Sequence, residues 1–171
     1  MYYGTRRLVL SALAAMALGI FLHFLHGWFP NGVTALFSPV RESLWEHGKI
    51  IFWPYLLAAL WLNRGRPGGI RPWLLTLSGM VAATLLLAYG YHILLGGDAL
   101  WVDIALYLLV MAAGFWLAGH SSGPFTGPLW VLPILATVLW GLLFLLFTLW
   151  PPQGPLFDDL SQVMARLFMT C

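Results

Sequence analysis

The chain has 171 residues, 61% of them hydrophobic and only 8% charged, with a formal net charge of +2. Soluble globular chains are about half apolar and about a quarter charged, so this composition excludes a soluble domain, and the scattered basic residues exclude a nucleic-acid partner. The single cysteine, Cys171, excludes an intrachain disulfide and a thiolate metal cluster.

The first apolar segment, about residues 8–29, follows Arg6 and Arg7 and runs too long for a signal-peptide core. It reads as a retained helix. His23 and His26 lie three residues apart near its far end and therefore share a face. The second segment, about 42–62, is different. Its uninterrupted apolar part, Ile50 to Leu62, is 13 residues, or about 20 Å at 1.5 Å per residue, roughly 10 Å short of the hydrocarbon thickness. The shortfall draws Ser43 to Lys49, with Glu46 and His47, to hydrocarbon depth. Ser38 is expected to cap this helix with Pro39 at its first position, and Pro54 to kink it.

The third and fourth segments, about 72–95 and 99–118, carry His92 and Asp103 near the same membrane level as the histidines of the first. The fifth is about 128–150, and the Gly- and Pro-rich stretches "NRGRPGGIRP" and "HSSGPFTGP" read as tight turns. After "PPQGP" the tail resumes as "LFDDLSQVMARLFMTC". Apolar residues recur there at helical spacing among Asp158, Asp159, Gln162 and Arg166, which predicts an amphipathic interfacial helix over about 156–170. The expectation is one all-α membrane domain, 1–171, a polytopic five-helix transmembrane bundle.

Basic residues set the orientation. Arg6, Arg7, Arg64, Arg66 and Arg71 fall on one side, against Arg41, Lys49 and Arg166 on the other, which puts the N-terminus inside and the C-terminus outside. Trp28, Trp45, Trp101 and Trp150 then mark the outer interface and Trp61, Trp73, Trp116 and Trp130 the inner one, leaving Trp53 and Trp140 mid-span. His120 falls in an inner loop.

Ionisable groups within a membrane are costly, about 2.5–3.5 kcal/mol each on insertion scales, and face a bundle interior or wet cavity. Here they gather in the outer leaflet. Histidines with carboxylates are a ligand set for zinc, manganese or iron. His23, His26, Glu42 and Asp103 are the candidate metal ligands. Glu46 and His47 are the candidate acid/base residues, and Arg41 and Lys49 the candidate anion-binding groups for substrate. The same residues also suit helix-pairing contacts, Glu46 with Lys49 and Asp103 with a histidine, or an ion or proton relay.

The run Ser38-Pro39-Val40, Glu42-Ser43, Trp45-Glu46-His47, followed by Lys49 and Phe52-Trp53-Pro54, resembles the signature of a family of small bacterial multi-pass membrane proteins with no assigned function. His23 and Phe37 fit that pattern, and Asp103 matches an acidic position of the fourth helix. The resemblance implies a bacterial cytoplasmic membrane protein and no particular activity. Together these readings lead to a metal-binding or acid/base site, hydrolytic in character, for a lipid-like substrate. The alternatives are a transport or binding protein, which at this size would act as a homo-oligomer, and a structural membrane subunit.

Overall fold

A computed structural model describes residues 3–66, 68–121 and 125–160. Among these residues the chain is helical and has no strand. Four helices are long and apolar enough to cross a membrane: α1 (Thr5–Trp28), α5 (Ile70–Tyr89), which continues as a π-turn over Gly90–Leu94, α6 (Leu100–His120) and α7 (Leu132–Leu149), which is entered through a 3-10 turn at Pro128–Val131. Their outward faces expose large apolar side chains, among them Leu86, Leu109 and Leu139, as helices facing lipid do.

The second apolar segment folds differently from the expectation. A short helix, α2 (Gly32–Phe37), precedes it, started by a capping box in which Asn31 Oδ1 accepts from the N–H groups of Val33 and Thr34. Ser38 does not cap the helix that follows. Its hydroxyl donates to the carbonyl of Leu22 and accepts the N–H of His26, so it is inserted into the hydrogen-bond ladder of α1 and fastens the connecting segment to the end of that helix. The cap is Ser43, whose hydroxyl accepts from Glu46 N at 3.3 Å and opens α3 (Leu44–His47). Gly48 separates α3 from α4 (Lys49–Leu62). A Cβ on Gly48 would strike the ring of Phe144 on α7, so only glycine lets the two helices meet there.

At 14 residues α4 is shorter than any of the four long helices, yet it is better covered than they are. Ile51, Phe52, Pro54, Tyr55 and Ala59 are all buried, against α1, α5 and α6. Pro54 has no N–H to offer the carbonyl of Ile50. That carbonyl instead faces Gly19 of α1, where an added Cβ would sit 2.6 Å from it. Without a hydrophobic drive between helices in lipid, such close approaches and interhelical hydrogen bonds hold a bundle together. Tyr55 donates to Gly114 O at 3.1 Å and Tyr107 to Met16 O at 2.9 Å.

Two tryptophans read as interfacial are core residues. Trp73 is fully buried and donates its Nε1–H to Tyr3 Oη at 3.0 Å. Trp45 lies against Trp140, Phe144, Phe147 and Phe157. In both cases the ring packs among other aromatic side chains of the bundle. Most of the expected C-terminal interfacial helix lies outside the described residues.

Candidate metal centre

The polar residues collect at the end of the bundle where α1, α5 and α7 finish and α4 and α6 begin. They form three separate groups there.

The first group is His23, Glu42 and His47, each offering a ligand atom, all three within 4.8 Å of one another. His23 comes from the last turns of α1, Glu42 from the extended residues ahead of α3, and His47 from the end of α3. The two imidazole rings lie 5.2 Å apart between centroids, and His47 Nε2 is 3.4 Å from Glu42 Oε2. His47 Nδ1 lies 2.8 Å from the carbonyl of Ser43. A carbonyl only accepts, so Nδ1 carries the proton and the Nε2 lone pair is turned toward Glu42 and His23. This is the arrangement in which an outer partner orients a ligating histidine. Buried His23 Nδ1 has no hydrogen-bond partner among the described residues. Two imidazoles and a carboxylate fit a divalent cation of the zinc, manganese or iron type and leave coordination positions open. Glu42 Oε2 offers the carboxylate oxygen of the set.

The second group corrects the expectation for Glu46 and Lys49. Glu46 does not face the histidines. Its Oε2 accepts from Lys49 Nζ at 2.6 Å and from Val40 N at 3.0 Å, and its Oε1 lies 3.2 Å from the hydroxyl of Thr148 on α7. Lys49 is fully buried, and its other two N–H groups go to the carbonyls of Ala35 and Ser38. All three ammonium donors are spent within the fold, leaving none to bind an anion. The pair joins α2, α3, α4 and α7. Arg41 reaches Thr148 O at 3.4 Å. Thr148 itself carried no sequence signal, being a lone hydroxyl in an apolar helix.

The third group is His92 and Asp103. The π-turn that ends α5 brings His92 Nε2 within 2.9 Å of Asp103 Oδ1, while His92 Nδ1 lies 2.8 Å from Gly97 O. Asp103 is thus paired with His92 and stands outside the trio. His26, expected among the ligands, places its Nδ1 2.9 Å from Thr34 Oγ1 on α2 instead. His120 is exposed at the end of α6.

A model described as a family of unknown function (DUF6512) matches residues 4–164. No curated protein matches the chain, and no solved structure does.

Proposed function

The chain belongs to this family of unknown function, and from that premise we propose that it is a membrane-embedded divalent-cation protein whose site is His23, Glu42 and His47. The carrying observation is that three ligand atoms, one from the end of α1 and two from the stretch around α3, lie within 4.8 Å of one another, one of them with its tautomer already selected by a backbone carbonyl. α3 and α4 together supply a fifth crossing, and the N-terminus faces the cytoplasm of a bacterium with the C-terminus outside. The site then opens toward the outer leaflet. A three-ligand centre at that depth suits an amphiphilic, lipid-like substrate whose polar group reaches the cation while its chains stay in the bilayer, and hydrolysis is the reaction class that such a centre serves. The His92–Asp103 pair would manage protons beside it, and the half-buried Arg41 would meet a substrate anion. Glu46 and Lys49 are scaffold in this reading.

The test is cation binding by the chelator-stripped protein in nanodiscs, titrated with Zn²⁺, Mn²⁺ and Fe²⁺. One cation per chain, lost in His23→Ala, Glu42→Ala and His47→Ala and kept in Glu46→Gln, is expected. A parent protein that binds none of the three ions refutes the reading.

A further inference from the structure

The segment after α7 returns to the stretch that carries Glu42 and His47. Trp45 N donates to Leu156 O at 2.9 Å, and Leu160 N donates to Glu42 O at 2.9 Å. These two bonds run antiparallel and bracket Ser43, whose carbonyl orients His47. The first satisfies an N–H of the opening turn of α3, which has no partner within the helix. The second holds the backbone of Glu42 itself. Between them Phe157 is seated on Trp45, with ring centroids 5.3 Å apart, and on Phe147 of α7 at the same distance. The segment is tied down at its own start by a turn in which Phe157 N and Asp158 N both donate to Gly154 O. Gly154 has φ +145°, a backbone conformation that side chains rarely adopt.

From this we infer that residues 156–160 are a positioning strap for the metal centre, with Phe157 as its anchor and the N–H of Leu160 as its hold on Glu42. Glu42 needs such a hold. It lies outside any helix, its side chain is more than half exposed, and only its contact with His47 would otherwise fix it. The strap converts a surface carboxylate into a placed ligand, so that little ordering entropy remains to be lost when a cation binds. The inference rests on the cation reading above.

Two measurements separate the strap from that reading. The first is Zn²⁺ affinity in nanodiscs for Phe157→Ala, Phe157→Leu and Leu160→Pro. The proline deletes the N–H that holds Glu42 O while leaving Phe157 in place, and serves should Phe157→Ala fail to fold. Phe157→Ala and Leu160→Pro are expected to weaken binding by roughly tenfold or more, the usual effect of removing an orienting partner. Phe157→Leu, which refills the aromatic pocket, should recover most of it. The second is amide hydrogen exchange at residues 42–47, which requires no metal and should quicken in the same two variants while exchange in α5 and α6 stays unchanged. Unaltered Zn²⁺ affinity and exchange in Leu160→Pro would overturn the strap and leave the cation site standing. A parent that binds none of Zn²⁺, Mn²⁺ and Fe²⁺, combined with faster exchange in the variants, would overturn the cation reading and reduce the strap to a purely structural clamp.

Discussion

His47 turns its Nδ1 to the carbonyl of Ser43, 2.8 Å away, and so presents Nε2 to Glu42. Protons and a cation compete for that Nε2 lone pair. Glu42 is not the group that decides the outcome at mild acidity, because carboxylates ordinarily titrate near pH ~4 and stay charged above it. The ring nitrogens, which ordinarily titrate near pH ~6.5, decide it. Zn²⁺ affinity should therefore be flat above about pH 7.5 and fall by roughly tenfold per pH unit for each imidazole proton that must leave once the pH is below about 6. Isothermal titration across pH 5 to 8 checks this. Affinity that improves on acidification would contradict it.

Glu46 and Lys49 should behave as a structural unit. Removing one partner of a buried pair strands the other charge, at a cost of roughly 3–5 kcal/mol. Glu46→Gln is expected to lower the unfolding midpoint in detergent sharply, because the buried ammonium of Lys49 keeps neutral oxygen partners and loses its only countercharge among the described contacts. The double variant Glu46→Gln/Lys49→Met should regain much of the loss, since no unpaired charge remains. Equal damage in the single and double variants would show that the pair is not coupled.

The contact of α1 with α4 at Gly19 is predicted to tolerate no added carbon. A Cβ there meets the Tyr107 hydroxyl and the Ile50 carbonyl, and the carbonyl is backbone that cannot step aside. Gly19→Ala should destabilise the bundle by roughly 1–3 kcal/mol, the range for overpacking. Gly79→Ala is the matched control, since nothing lies within 4 Å of a Cβ at that position. It should be neutral or stabilising by up to about 1 kcal/mol, the gain from replacing a helical glycine. Thermal unfolding of both variants in one detergent compares them directly.

Topology is checked by reporter fusions. With the N-terminus inside and five crossings, a phosphatase fused after Cys171 should be active outside the cytoplasm, and a fluorescent reporter in the same place dark. The Arg6, Arg7, Arg64, Arg66 and Arg71 cluster is the physical basis. A cytoplasmic C-terminus would mean that α3 and α4 do not cross.

The membrane class, the four long helices and the gathering of ionisable groups toward one end were legible in the amino-acid sequence, because length and hydropathy are local and additive along a chain. The partner of each charged group was not. Glu42 and Glu46 stand four residues apart, which on a continuous helix would put them on one face. The helix does not begin until Leu44 and is broken again at Gly48, so the two carboxylates part company, Glu42 to His47 and Glu46 to Lys49. His23 and His26 diverge for a related reason. The hydroxyl of Ser38 enters the end of α1, and α2, lying beside it, takes His26 through Thr34. Trp45 is the third case: its position between apolar segments suited an interface, but α7 and Phe157 closed over it. In each case the outcome was decided by which neighbour the folded chain brought within reach, a quantity set by contacts between segments far apart in sequence and absent from the spacing of any one of them.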